Sequence, residues 1–320
     1  MRTNWPDHCL ITAQDCTTFR MAKNNKSIYS ALAANLLIAI TKFIAGAISN
    51  SASMISEGIH SLVDTINQVL LLYGLKRSHK KPDALRPFGY GKELYFWSFV
   101  VSILIFGLGG GLSIYQGIAH IRKPELLGDP TINYWVLGFS FIFEGSSLII
   151  AIKEFNKVRA GLSWWKAIVK SKDPSSFLVL FEDGAAVLGL VIVFLMMYCS
   201  HKFNMPYLDG LASVLVGLLL VSVSLILARE SRSLLMGEGI MPETQKKIID
   251  LVERDNTVVK VIKVLSDYQS PEEIVLMLLV TFEDDLDTED ITTAIERIRK
   301  TIKTAYPLVR FVFIQPQILG

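Results

Sequence analysis

Three side chains that can bind a metal ion or carry a proton are spaced one helical turn apart in an otherwise apolar stretch, ISEGIHSLVDT at 55–65. They are Glu57, His60 and Asp64. Positions i, i+3 and i+4 of an α-helix lie on one face, so the three side chains would form one stripe. Imidazole nitrogen and carboxylate oxygen one turn apart make half of a divalent metal site. A hydrogen-bonded pair that joins two helices is the alternative.

A second pair of acids, Glu182 and Asp183, lies in another apolar stretch, LVLFEDGAAVLGL at 178–190. Successive residues of a helix point about 100° apart, so at most one of the two is expected to face the same centre as His60. Adjacent buried carboxylates are costly without a cation, which favours an ion shared by the two stretches. Small residues that permit close helix packing accompany the acids: Gly184, Ala185, Ala186 and Gly189.

Other polar or small residues of the apolar stretches have less specific interpretations. Glu144 in FIFEGSS is a proton carrier, a supporting group for the metal or a helix-pairing group, and Lys42 could neutralise one of the acids. Asp209 is expected to cap a helix start. Gly107 and Gly111 are predicted to form a GxxxG contact between helices, with a flexible hinge as the alternative.

The composition indicates a multi-pass membrane protein. Of 320 residues, 51% are hydrophobic and only 19% are charged, whereas about a quarter of a typical soluble domain is charged. A membrane-spanning helix takes about 20 apolar residues. The net charge of +2 gives no case for nucleic acid, and Cys9, Cys16 and Cys199 have no metal-ribbon or disulfide spacing. The six candidate spans are 28–49, 52–75, 93–120, 132–152, 175–200 and 207–229.

The distribution of lysine and arginine predicts the topology. Both residues are frequent in the N-terminal tail and in the loops after the second and fourth spans, and they are sparse in the alternate loops. By the positive-inside rule, six helices place both termini in the cytoplasm. Residues 1–26 are polar and are predicted to form a loosely ordered tail. The six spans predict a transmembrane transport domain at 27–232. The expected location is the plasma (inner) membrane.

Residues 236–320 have a mixed polar and apolar composition, which is typical of a small soluble domain. Helices are predicted at 242–253 and 288–306, and strands at 257–269, 272–283 and 308–317. The order αββαβ indicates a compact α+β domain. The acidic run at 283–290 is explained most simply as a solvated loop and helix start, with regulatory metal binding as the alternative.

Taken together, the motifs resemble the cation diffusion facilitator family of the zinc-transporter type. The resemblance rests on HxxxD in the second span, RPFGYGKEL at 86–94, DGLAS at 209–213 and the αββαβ tail, and it covers about 28–316. The stretch LFEDGAAVLG is similar to the branch with a Glu-Asp pair in the fifth helix, which includes the animal mitochondrial zinc transporter.

This resemblance implies a six-helix polytopic domain, a cytoplasmic ferredoxin-like domain and a homodimer that exports divalent metal, mostly zinc, in exchange for protons. It places metal ligands at His60 and Asp64 in the second helix and at Asp183 in the fifth. The remaining family ligand falls on Val179, which cannot bind metal, so Glu182, Glu57 or water would complete the shell. A shell richer in oxygen shifts the preference towards manganese or iron.

The function predicted from the sequence is proton-coupled antiport of a divalent cation by alternating access, with zinc favoured and manganese, iron or cobalt left open. The metal residues are His60, Asp64, Asp183 and Glu182, and the supporting or proton-coupling candidates are Glu57 and Glu144. One alternative is a transport-inactive partner subunit of the same family. The other, an intramembrane metalloenzyme, usually needs two or three histidines or HExxH, which the spans do not supply. We therefore expect no enzymatic activity.

Overall fold

The computed structural model describes residues 25–124, 129–159, 163–164 and 174–318. The chain divides into two compact units. We call 24–77 with 93–232 the membrane unit, and 78–92 with the residues from 233 onward the C-terminal unit. The predicted tail at 1–26 lies outside the described residues except for its last two, which begin the first helix. The sequence-based division did not assign 78–92 to the C-terminal part of the chain.

Long helices make up the membrane unit. Among the helices that the structure describes, five are long and apolar enough to cross a membrane, and the second helix is not among them. That second helix carries Glu57, His60 and Asp64, whose polarity lowers its hydropathy. Among the described residues, these five helices and the second one are α1 (Asn25–Ser49), α2 (Ala52–Ser78), α3 (Glu93–Arg122), α4 (Thr131–Arg159), α5 (Pro174–Phe203) and α6 (Tyr207–Gly237).

A π-helical segment, Ile105–Gly111, interrupts α3. Glycines within this segment and beyond it bring α3 against the backbone of α6. A Cβ at Gly110 would lie 3.1 Å from the carbonyl oxygen of Gly217, and a Cβ at Gly117 would lie 2.6 Å from that of Gly210. The two helices therefore pack backbone to backbone.

The prediction that Gly107 and Gly111 form a contact between helices is wrong for the described part of this chain. A Cβ at Gly107 would meet nothing within 4 Å, and one at Gly111 would meet only Phe106 of its own helix. The π turn holds more residues than an α turn, so it rotates the following glycines onto a different face of α3. The IFGLGGG sequence is apolar throughout and gives no sign of that rotation.

The C-terminal unit has the predicted order of elements. Helix α7 (Pro242–Val252) precedes strands β1 (Val258–Ser270) and β2 (Glu273–Phe282), and helix α8 (Thr288–Ala305) precedes β3 (Val309–Pro316). The sheet order is β1-β2-β3, with β1 antiparallel and β3 parallel to β2. Apolar side chains of both helices are buried with those of the sheet, including Ile248, Val252, Ile298, Ile302, Leu276 and Leu278.

Residues 78–92 belong to the C-terminal unit through specific contacts with its sheet. The Lys92 ammonium lies 2.9 Å from the Asp267 carboxylate on β1. The Phe88 ring packs edge-on against Phe311 and Phe313 of β3, with ring centroids 5.4 and 6.4 Å apart. The segment that joins α2 to α3 is thus part of the C-terminal fold.

Candidate metal-transport site

The stripe predicted on α2 is buried in the membrane unit. His60 Nδ1 lies 3.4 Å from Asp64 Oδ1, and the two side chains are 3% and 20% exposed. Neither ring nitrogen of His60 has a hydrogen-bond partner, and neither does Asp64 Oδ1. Buried polar atoms are nearly always hydrogen-bonded in folded proteins. A group of buried nitrogen and oxygen atoms without such partners is therefore typical of a binding site.

Glu57, the third member of the stripe, is held by a buried lysine. The Lys42 ammonium on α1 donates to Glu57 Oε2 at 3.0 Å, to Glu144 Oε1 on α4 at 2.8 Å and to Ser61 Oγ at 2.9 Å. The Lys42 and Glu57 side chains are completely buried. Lys42 therefore neutralises acids, as expected, and it occupies one oxygen each of Glu57 and Glu144.

The two adjacent acids of α5 face different helices. Glu182 is 7% exposed and accepts a hydrogen bond of 2.7 Å from the Asn67 amide, which lies on α2 one turn beyond Asp64. Asp183 instead accepts a 2.7 Å hydrogen bond from Ser147 on α4. The 100° step between neighbours separates the pair as the sequence predicted.

The buried face of α5 contains Glu182 rather than Asp183. Leu178 and Ala186, one turn to either side of Glu182, are 0% and 3% exposed. Val179, one turn before Asp183, is 39% exposed. The position that the resemblance assigns to a fourth ligand is thus on the outer side of α5.

Negative charge collects around Asp64. Its carboxylate interacts electrostatically with those of Glu182, Glu144 and Asp183, and with the Lys42 ammonium. Within the described ranges, no three His, Cys, Asp or Glu side chains are placed to hold a metal ion as they stand. Side-chain rotation would therefore have to accompany metal binding. Several carboxylates in apolar surroundings favour a cation between them.

Two further acidic features have structural roles. Asp209, expected to cap a helix start, accepts a hydrogen bond of 3.2 Å from the backbone N–H of Ser53 and so caps α2 rather than its own helix. In the acidic run at 283–290, Asp287 caps α8 by accepting from the Asp290 N–H at 2.8 Å. The second observation fits the helix-start interpretation of that run.

Apolar helices that enclose an imidazole, several carboxylates and an ammonium group are typical of membrane transport proteins, because ionisable groups in spanning helices mark ion pathways. A family model described as the cation efflux transmembrane domain matches residues 28–236. The chain belongs to this cation efflux family, which confirms the resemblance found in the sequence. Members of this family are transporters, which confirms the expectation that the protein is not an enzyme.

Curated relatives extend this comparison. The chain is 34% identical over 304 residues to "Proton-coupled zinc antiporter SLC30A9, mitochondrial" of Xenopus laevis, covering 92% of this chain and 54% of the relative. Identity to the Homo sapiens protein of that name is 37% over 235 residues, with 73% and 41% covered. "Metal tolerance protein C4" of Arabidopsis thaliana is 34% identical over 237 residues, with 73% and 52% covered. The chain spans about half the length of these relatives.

Among solved structures, the chain is similar to a variant of the "MamM CTD" in its nickel form, and the match covers 25% of this chain and all of the MamM chain. The sequence identity is 15% and the TM-score is 0.24.

Proposed function

We propose that this chain is a divalent cation efflux transporter that exchanges its metal, favoured to be zinc, for protons by alternating access. The observation that carries the proposal is the buried His60–Asp64 pair on α2, whose unpaired nitrogen and oxygen atoms lie one turn from the Asn67 contact with Glu182 of α5. The names of the animal relatives support both zinc and proton coupling.

The proposed metal ligands are His60 and Asp64 of α2 with Glu182 of α5. Asp183, the other α5 residue of the predicted set, accepts a hydrogen bond from Ser147 of α4 and would have to rotate to reach the same ion. Glu182 takes the place that Val179 cannot fill, since Glu57 is already paired with Lys42. One imidazole with several carboxylates suits zinc and also admits manganese, iron or cobalt. Because these ligands bind metal only when deprotonated, protons compete with the ion, and Glu57 and Glu144 are the additional proton-coupling candidates.

The proposal includes the six-span topology, with α2 as the span whose hydropathy is lowered by its site residues. Both termini and the C-terminal unit, with a ferredoxin-like arrangement, would then be cytoplasmic, and the working form would be a homodimer. The sequence predicts the plasma (inner) membrane, whereas the names of the animal relatives point to a mitochondrial membrane. Fractionation of cells that express the tagged protein distinguishes the two locations.

The experiment is zinc uptake into proteoliposomes under a pH gradient. We expect His60→Ala, Asp64→Ala and Glu182→Gln each to lower the uptake rate at least tenfold. Gly184→Ala is the matched control, because Gly184 directly follows the Glu182-Asp183 pair of α5 and its added methyl group meets nothing within 4 Å. If His60→Ala and Asp64→Ala transport like the parent protein, the site assignment is wrong.

A transport-inactive partner subunit is the second candidate, and the exposed Val179 at a family ligand position favours it. Such a subunit would show no flux when reconstituted alone and would support flux with an active member of the family. Flux from the purified chain alone would exclude this alternative.

A further inference from the structure

A second cluster of polar groups lies away from the metal site, at the end of the membrane unit where α1 meets α2, α3 ends and α6 begins. We call this the outer end. Asp209, in the first turn of α6, is completely buried. Its carboxylate accepts hydrogen bonds from the Ser51 hydroxyl at 2.8 Å, from the Ser53 hydroxyl and from the Ser53 backbone N–H at 3.2 Å. Asp209 thereby ties the start of α6 to the start of α2.

His120, in the last turn of α3, faces the same carboxylate. Its Nε2 lies 3.9 Å from Asp209 Oδ2, and its side chain is 10% exposed. This buried nitrogen has no hydrogen-bond partner. The contact with Asp209 is thus incomplete in this structure, although the imidazole is nine-tenths buried and aimed at the carboxylate.

We propose that His120 and Asp209 form a proton-operated latch that closes the outer end of the membrane unit. With neutral His120, Asp209 joins only α2 and α6, as the 3.9 Å separation shows. With protonated His120, the two groups form an ion pair that is strong because the surroundings are largely free of water. The ion pair joins the last turn of α3 to the start of α2 through Asp209, next to the Gly117–Gly210 contact that already packs α3 on α6.

Among the described residues, His120 is the titratable group that faces Asp209. The start of α2 presents uncharged groups to the carboxylate, namely two serine hydroxyls and a backbone N–H. α3 presents His120 itself, and further along, the backbone contact of Gly117 with Gly210 on α6. Protonation of the imidazole therefore adds one positive charge to this cluster.

The latch rests on the proposed function but is separate from the metal site. Ser53 precedes His60 by seven residues, which is about 10 Å along a helix axis. The positive-inside pattern predicts the outer end on the non-cytoplasmic side, from which an efflux antiporter takes up protons. A proton arriving there would close the outer end and favour the return of the carrier to its cytoplasm-facing state.

Electron spin resonance distances in the full-length protein test the latch directly. Spin labels at Lys123→Cys, just beyond α3, and at Ile48→Cys, an exposed position at the end of α1 beside the start of α2, report the opening of the outer end. The background has Cys9, Cys16 and Cys199 replaced by serine. The measurement is made in lipid nanodiscs without metal, at pH 5.5 and pH 8, so it does not depend on transport.

The parent protein is expected to show one short distance at pH 5.5 and an added longer population at pH 8. His120→Gln, which keeps a donor but cannot titrate, should lose this pH shift. His120→Lys, with a fixed positive charge, should keep the short distance at both pH values and lower zinc flux at least tenfold. A full pH shift in His120→Gln overturns the latch, and this variant decides the matter even where His120→Lys does not fold. Loss of flux in His60→Ala alone bears on the proposed function and leaves the latch unaffected.

Discussion

The lysine buried among the acids shows how single residues set the chemistry of the membrane unit. Lys42 has no exposed side-chain surface, and its ammonium is shared between Glu57 and Glu144. Breaking a buried ion pair by removing one partner costs about 3–5 kcal/mol, because the other charge is left without compensation. In the proposed site, Lys42 would therefore determine which carboxylates remain for metal.

Replacing Lys42 should consequently destabilise the protein. We expect Lys42→Met to lower the midpoint of thermal unfolding in detergent by several degrees, and Glu144→Gln in the same chain to restore part of the loss, since one unpaired charge is removed. The matched control is Lys153→Met, at an exposed position on α4. A Lys42→Met protein as stable as the parent would show that the ion cluster contributes nothing.

A second residue-scale prediction concerns pH in the C-terminal unit. Arg297 on α8 makes two hydrogen bonds of 2.7 Å to Asp255, and these bonds lower the pKa of Asp255 to about 2. A carboxylate with a lowered pKa contributes stability above its ordinary pKa near 4, and this stability is lost as the pH falls towards 2.

Asp255→Asn should therefore weaken the C-terminal unit at pH 7 and have almost no effect near pH 2. Hydrogen exchange of the full-length protein, followed at α8, measures the difference. The exposed control Asp284→Asn should change exchange at neither pH. Equal effects of Asp255→Asn at both pH values would contradict the pairing.

At the scale of elements, the bounds of most helices and strands follow from the sequence, while their rotation about their own axes does not. Hydropathy gives α5 as 175–200, against Pro174–Phe203 in the structure. It does not decide whether Glu182 or Asp183 faces α2, because a rotation of 100° leaves the hydropathy profile unchanged. The rotation of α5 becomes clear only from the structure, in which the Asn67 amide on α2 donates a hydrogen bond to Glu182. In the C-terminal unit the helical period predicts α8 more fully, because its buried residues Ala294, Ile298 and Ile302 recur every four residues.

The glycine contact between α3 and α6 supplies an element-scale prediction. Gly117→Ala places a methyl group 2.6 Å from the backbone oxygen of Gly210, so the helices must separate. We expect a lower unfolding temperature and slower zinc flux. Gly107→Ala is the control, because its methyl group meets nothing within 4 Å and alanine favours a helix over glycine by up to about 1 kcal/mol. Equal behaviour of the two variants would show that the backbone contact is unimportant.

At the scale of the whole molecule, the segment at 78–92 folds with the sheet although its ends continue into α2 and α3. Phe88→Ala removes the edge-on ring contacts with Phe311 and Phe313, and such a pair contributes about 0.5–1.5 kcal/mol. We expect faster hydrogen exchange across 78–92 and little change in α7. Leu85→Ala is the control, since Leu85 is 93% exposed. Unchanged exchange in Phe88→Ala would mean that other contacts hold the segment.

From Asn25 onward, where the structure describes the chain, it passes between the two units three times, after Arg77, after Lys92 and after Arg232. A domain attached by one flexible linker can change shape without exerting force on its neighbour. Here two of the crossings bracket a segment that is anchored at Asp267 and β3. If α2 and α3 move relative to each other, the segment between them must therefore either follow both helices or lose its contacts with β1 and β3.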